Sequence, residues 1–96
     1  MSKEDYTYYT LEVTTDLTQL NIHTVRRCVH IGLVKPAKFE DDEEDRFSEL
    51  DLARLRKVRR LIQDVGLNWA GVEIVMRLTD ELNSLHAELA RLRGAL

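Results

Sequence analysis

The most regular hydrophobic pattern lies near the C-terminal end of the chain, where apolar residues recur at alternating steps of three and four. The seven positions are Val75, Leu78, Leu82, Leu85, Leu89, Leu92 and Leu96. This spacing predicts a heptad seam on one side of a helix. The seam either packs on the protein's own core or joins the helix of a second copy. Because one small domain offers little to cover it, we expect a coiled-coil homodimer through the leucines from Leu78 to Leu92.

The charges beside this seam leave the orientation of the two helices open. Glu81 and Glu88 flank it on one side, and Thr79, His86 and Arg93 flank it on the other. A parallel pair would bring Glu88 of one copy near Arg93 of the other. That single match does not distinguish a parallel from an antiparallel coiled coil.

Three polar residues mark predicted helix starts elsewhere in the chain: Asn21, Ser48 and Asn68. Each has an apolar residue immediately before it and another four positions later, which is the pattern of an N-cap with a hydrophobic staple. Asp51 additionally completes a capping-box pattern with Ser48. We therefore expect helices to begin directly after all three caps.

The predicted helix ends are marked by glycine. Gly32, followed by Pro36, ends a helix over Ile22–Ile31, and Gly66 ends the next one. A short first helix is predicted over Glu12–Thr18, and the turn "TQLN" joins it to the second. Two short helices connected in this way predict a helix-turn-helix. The alternating run "YTYYTL" before them favours a short edge strand.

Length and composition indicate one small domain. The chain has 96 residues, 44% of them hydrophobic and 32% charged. A polar N-terminus, the lack of a long apolar run and a lone Cys28 favour a cytoplasmic protein without a membrane contact. We expect a flexible N-terminus over 1–7, a domain over 8–75 and a coiled-coil tail over 76–96.

Charge is concentrated in one segment between the predicted second and third helices. The acidic residues are Glu40, Asp41, Asp42, Glu43, Glu44 and Asp45. With Lys38 and Arg46 they give residues 37–47 a charge of −4, whereas the whole chain carries −3. A DNA-binding domain usually has a basic excess instead. The segment is either a solvated loop or a surface for a basic partner; it lacks the spacing of a calcium loop.

No residue pattern indicates an enzyme. His23 and His30 are seven positions apart, wider than the four of a helical zinc pair, and His86 is in the tail. Cys28 has no second thiol for a metal or redox motif and is expected to be a small packed residue. No nucleophile with a nearby base can be identified. We therefore expect no catalytic residue, metal or cofactor.

At this point the sequence resembles the MerR-like winged-helix family over residues 8–78. The matching segments are "YTLEVTTDLTQLNIHTVRRCVHIGLVKP" and "RFSELDLARLRKVRRLIQDVGLNWAGVEIV". The resemblance implies an all-α class, with a winged helix-turn-helix core followed by the coiled-coil tail. It also makes residues 38–47 the wing, a loop that in this family usually lies along DNA.

The DNA-binding features of the family match only in part. The resemblance implies as DNA-contacting residues His23, Thr24, Arg26, Arg27 and Arg46. The aromatic run that usually follows the recognition-helix arginine is missing, and the usually basic wing is acidic. Because phosphate contacts supply much of DNA-binding affinity, six carboxylates there disfavour DNA as the partner.

The C-terminal half looks like that of the CbpM-type chaperone modulators, which share a Leu–polar–Trp–small–Gly turn. Here that turn is the segment "LNWAG", residues 67–71; by itself, Trp69 could equally be a core anchor. This resemblance implies a protein that binds the J-domain of a DnaJ-like co-chaperone and inhibits it. Since a J-domain presents a basic helix to its main chaperone, charge complementarity makes the acidic residues of the wing the expected binding patch. The alternatives are a heat-shock-repressor-like transcriptional regulator and a dimerisation subunit without a ligand here.

Overall fold

Four α-helices and one β-hairpin make up the part of the chain that the computed structural model describes, residues 7–95. The elements, in chain order, are α1 (Leu11–Thr18), α2 (Ile22–His30), β1 (Ala37–Phe39), β2 (Asp42–Arg46), α3 (Glu49–Arg60), a π-helical turn (Leu61–Val65) and α4 (Trp69–Ala95). The expected flexible N-terminus lies outside the described residues except for its last position, and so does Leu96 of the seam.

The three predicted helix caps are confirmed. The Asn21 side chain accepts a hydrogen bond from the third N–H of α2 at 2.8 Å, and the Asn68 side chain accepts one from the N–H of Gly71 at 2.9 Å. Ser48 and Asp51 form the reciprocal capping box, at 3.1 and 2.9 Å. These bonds satisfy donors that a helix start leaves unpaired, so the sequence alone determines where each helix begins.

The first helix begins one residue earlier than predicted. Thr10 is its cap and accepts a hydrogen bond from the N–H of Val13 at 3.2 Å. Just before it, the predicted edge strand is reduced to one antiparallel bridge between Tyr9 and Phe47, whose backbone hydrogen bonds measure 2.8 and 2.9 Å. The N-terminal segment is therefore tied to the end of the wing.

The all-α class is wrong for the wing, which is an antiparallel hairpin rather than a loop. Phe39 pairs with Asp42 around a turn at Glu40 and Asp41, and Ala37 pairs with Arg46. Acidic residues have low strand propensity, so the sequence does not indicate strands here. The chain is mostly helical with a small two-stranded sheet.

The predicted glycine stops are confirmed, and one irregular turn is new. Gly32 and Gly66 have φ angles of 84° and 81°, the left-handed conformation that glycine adopts without a Cβ clash. α2 ends at His30, with Ile31 as its cap, one residue earlier than predicted. Between Arg60 and Gly66 the third helix widens into the π-helical turn, which no local sequence signal announces.

The core lies where α2, α3, the end of the wing and the start of α4 meet. Its buried residues are Leu20, Val25, Cys28, Leu33, Val34, Phe47, Leu52, Leu55, Val58, Val72 and Met76. Cys28 is fully buried, as expected for a small packed residue, and burial raises the pKa of its thiol to about 11. None of the described helices is long and apolar enough to span a bilayer.

Arg54 connects three elements at the base of the tail. Its guanidinium donates two hydrogen bonds to the Asp80 carboxylate on α4, at 2.7 and 3.0 Å, and one to the carbonyl oxygen of Leu33 at 2.6 Å. The hydrogen bonds from Arg54 hold the pKa of Asp80 below its usual range. This bidentate pair fixes the direction in which α4 leaves the domain.

We expect Asp80→Asn to lower the free energy of unfolding by about 1 kcal/mol at pH 7, since the pair is partly exposed. A lowered carboxyl pKa stabilises the fold above the unfolded value of about 4, and this stabilisation disappears as pH falls through the folded value. Urea unfolding at pH 7 and pH 3 checks this. Asp64→Asn, at an exposed position, is the control, and an equal loss in both variants at pH 7 contradicts the prediction.

Candidate functional site

The wing has two cations, and both are occupied by its own carboxylates. The Lys38 ammonium lies 3.1 Å from Asp45 and donates to the carbonyl oxygen of Glu43 at 2.9 Å. The Arg46 guanidinium contacts Asp42 and lies 3.7 Å from Glu44. The Lys38–Asp45 pair joins β1 to β2, whereas both Arg46 pairs lie within β2. Part of the acidic sequence therefore stabilises the wing itself.

Asp42 has a structural role within the hairpin. Its carboxylate accepts a hydrogen bond from the N–H of Glu44 at 3.0 Å. This bond, together with the contact from Arg46, holds the pKa of Asp42 below its usual range. The three carboxylates of Asp42, Glu44 and Asp45 therefore differ from the rest of the acidic segment, because each has a cation of the wing beside it.

The remaining three acids form what we call the wing tip: Glu40, Asp41 and Glu43. All three are exposed, and among the ion pairs of residues 7–95 none involves their side chains. Glu40 and Asp41 form the turn of the hairpin, which projects them from the domain. The wing tip thus presents three negative charges that form no ion pair with any cation of residues 7–95.

A groove of about 510 Å³ runs between α1, α2 and the wing. Its apolar lining comes from Leu11, Ile22, Val29 and Phe47. Its charged lining comes from Glu12, Arg26, Glu44 and Asp45. The groove therefore combines an apolar surface with an acidic rim and joins the α2 surface to the wing.

The structure does not gather the five residues expected to contact DNA into one free basic surface. His23 and Arg26 are exposed on α2 and Thr24 is half-buried, but Arg26 lies in the groove beside the acidic lining. Arg46 is paired within the wing. The carboxylates thus occupy or surround two of the cations that a phosphate backbone would require.

Arg27 is also engaged, in a contact that the sequence does not indicate. Its guanidinium lies 4.6 Å from the centre of the Trp69 ring, a cation–π geometry. Trp69 is half-buried and packs against the core, so the expectation of a core anchor holds in part. The "LNWAG" turn therefore connects the start of α4 to the exposed face of α2.

The predicted seam on α4 is exposed from Leu78 to Leu92, whereas its first position, Val75, is half-buried. Five leucines share one helix face and retain between 45% and 66% of their surface: Leu78, Leu82, Leu85, Leu89 and Leu92. By contrast, Val72 and Met76 at the start of α4 are buried. The alternative that the seam packs on the protein's own core therefore applies only to the first two turns.

Potential metal ligands do not converge within residues 7–95. No group of three or more His, Cys, Asp or Glu side chains in that range is arranged to hold an ion. His23 and His30 are both exposed on α2.

Comparison with known proteins gives two kinds of relative. A profile of the family described as MerR HTH family regulatory protein matches residues 9–94. A protein from Streptomyces coelicolor described as heat shock protein HspR is 34% identical over 93 residues, which cover 97% of this chain but 61% of that relative. The chaperone modulatory protein CbpM of Salmonella paratyphi B and that of Salmonella newport are each 26% identical over 85 residues, 81% of this chain and 82% of the relative.

Proposed function

The chain belongs to the family of MerR HTH regulatory proteins, and within that family we propose that it is a cytoplasmic chaperone modulator. It binds the J-domain of a DnaJ-like co-chaperone and inhibits it, without chemistry of its own. The observation that carries this proposal is the wing tip, where Glu40, Asp41 and Glu43 expose three carboxylates that form no ion pair within the described part of the chain. The similarity to CbpM over 82% of that protein supports it.

Electrostatics favour this partner over DNA. A J-domain presents a basic helix to its main chaperone, and a surface of opposite charge can compete for that helix. A phosphate backbone at the same place would meet the wing tip as well as the acidic lining of the groove. Repulsion there would add to the loss of the phosphate contacts that Arg46 would otherwise make.

We also propose that the protein is a homodimer joined through the tail, residues 76–96. Five half-exposed leucines in one line form an apolar surface that a soluble monomer seldom leaves uncovered. A second copy supplies an identical seam, and two such seams interlock as a coiled coil. Two J-domains would then bind to one dimer.

The second candidate function is a DNA-binding transcriptional regulator. Its specific support is the exposed α2 surface with His23 and Arg26, together with the 34% identity to HspR. On this proposal α2 enters the major groove and the dimer tail sets the half-site spacing. Since the chain spans 61% of that relative's length, this proposal transfers only a part of the relative's architecture.

Neutralising the wing tip separates the two functions. In the triple variant Glu40→Gln, Asp41→Asn and Glu43→Gln, the ion pairs of Lys38 and Arg46 stay intact because their partners are unchanged. We expect J-domain binding, measured by titration calorimetry at low salt, to weaken about tenfold, since three rim charges contribute roughly 0.5 kcal/mol each. Moderate salt should reduce the difference between wild type and variant.

The same variant also tests the DNA hypothesis. Removing three negative charges should tighten binding to duplex DNA if DNA is the partner, because less repulsion opposes each phosphate contact. Tighter DNA binding with no J-domain heat at tens of micromolar would replace the first proposal with the second. If neither the J-domain nor DNA binds, the result would indicate a dimerisation subunit without a ligand in this domain.

A further inference from the structure

The groove between α1, α2 and the wing has an apolar surface in addition to its charged rim. Its apolar side chains are accessible: Leu11, Ile22 and Val29 are half-buried rather than buried. Ile22 in particular lines the groove without belonging to the cluster of side chains packed on the core. A half-buried isoleucine at the first position of a helix, outside that cluster, has part of its surface free for a partner.

Charge surrounds this apolar surface unevenly. Glu12 stands on the α1 side, and Glu44 and Asp45 stand on the wing side, whereas Arg26 is the single cation of the lining. Together with the rest of the wing, the face has seven acids against three cations, Arg26, Lys38 and Arg46, a net charge of −4. An apolar floor with such a rim is complementary to a helix that has an aliphatic side chain between lysines or arginines.

We propose that this groove is the docking site for the basic helix of the J-domain, with one large aliphatic side chain of that helix against Ile22 and its flanking cations at Glu12, Glu44 and Asp45. This inference rests on the proposed function and deepens it by locating the contact. The wing tip attracts the basic helix over a distance, and the groove holds it. A cavity of about 510 Å³ is large enough for one or two such side chains.

The groove and the wing tip should affect different rate constants of J-domain binding. Charges at an exposed tip act mainly on the association rate and are screened by salt. Apolar contact in a groove acts mainly on the dissociation rate, and salt leaves it largely unchanged. Variants of Ile22 should therefore weaken binding equally at low and at moderate salt, whereas the wing-tip variant should not.

The test is a calorimetric and kinetic titration of the full-length protein with the J-domain. The first variant is Ile22→Ala, which suits a helix start and removes no core contact; we expect the dissociation constant to rise about tenfold, mostly through faster dissociation. The second is Glu12→Gln, for which we expect about a threefold rise at low salt. The matched control is Asp16→Asn, which removes the same charge from the same helix outside the groove lining. Circular dichroism checks that all variants are folded.

The outcomes separate this inference from the function on which it rests. Weaker binding of both groove variants, with less than about a twofold change in the control, supports the groove. Equal binding of wild type, Ile22→Ala and Glu12→Gln overturns the groove and leaves the J-domain as the partner. If the J-domain does not bind the wild type at all, the proposed function fails first, and the groove as its docking site fails with it.

Discussion

Replacing Phe47 with alanine should lower the free energy of unfolding by about 3–5 kcal/mol, the range for large aromatic side chains removed from a core. Phe47 is 0% exposed and is among the largest fully buried side chains of the protein. It stands between the last residue of β2 and the Ser48 cap of α3, and its backbone pairs with Tyr9. One residue thus connects the wing to α3 along the chain and, through its backbone, to the N-terminal segment, while its side chain lies in the core.

The expected loss is large relative to the total free energy of unfolding. A domain of this size commonly has a stability of about 5 kcal/mol or somewhat more, so Phe47→Ala should be close to unfolding at 25 °C. Phe47→Leu is the matched control, because it keeps most of the volume and should lose less than about 1.5 kcal/mol. Urea unfolding followed by circular dichroism measures both, at one fixed protein concentration because the proposed dimerisation would couple to stability.

A loss below about 1.5 kcal/mol in Phe47→Ala would contradict this account. It would mean that the wing can detach from α3 without disturbing the core. The result also decides how binding experiments are designed. Since Phe47 lines the groove as well, a variant at this position cannot separate a binding defect from a folding defect, whereas Ile22→Ala can.

The helix starts could be predicted because their causes are local. A cap side chain, the N–H that it accepts from and the two staple residues lie within six consecutive positions, so the sequence contains the whole interaction. The glycine stops at Gly32 and Gly66 are local in the same way, since their positive φ angles depend on one residue. The helix-turn-helix follows from these boundaries.

The wing hairpin and the contacts of Arg27 and Arg54 could not be predicted, because their causes are distant in sequence. Lys38 pairs with Asp45 across the hairpin and Arg46 pairs with Asp42 along β2, and these contacts compensate for the poor strand propensity of the acidic residues. Arg54 meets Asp80 from 26 positions away, and only the fold brings Arg27 over Trp69. No spacing rule connects such pairs.

The same distinction applies to the candidate site. The six acids of the wing are visible in the sequence, but the sequence does not show which of them form ion pairs within the hairpin. Three of them stabilise the hairpin through Lys38 and Arg46, and three remain at the wing tip. The groove is absent from the sequence analysis altogether, because its lining comes from α1, α2 and β2. A binding surface assembled from three elements has no signature in any one of them.

Introducing lysine at the centre of the tail seam, as Leu85→Lys with Leu89→Lys, should weaken self-association about a thousandfold. The two leucines are 66% and 45% exposed in the single chain, so pairing two tails would bury roughly half of each. Four such side chains per dimer, at about 1 kcal/mol each, give about 4 kcal/mol, or three orders of magnitude in the dissociation constant. Repulsion between the introduced ammonium groups adds to this loss.

The matched control is Ala87→Lys with Ala90→Lys, which adds the same charges to the same helix outside the seam. Lysine has a helix propensity close to that of leucine, so neither variant should shorten α4. Sedimentation equilibrium at micromolar concentration should give dimers for the wild type and the control, and monomers for the seam variant. A wild-type monomer under these conditions would contradict the dimer, and would leave five aligned leucines as a surface for a different protein. Since Leu85 and Leu89 lie beyond the buried Met76, the winged domain should stay folded in the monomeric variant, and its groove should still bind one J-domain per chain.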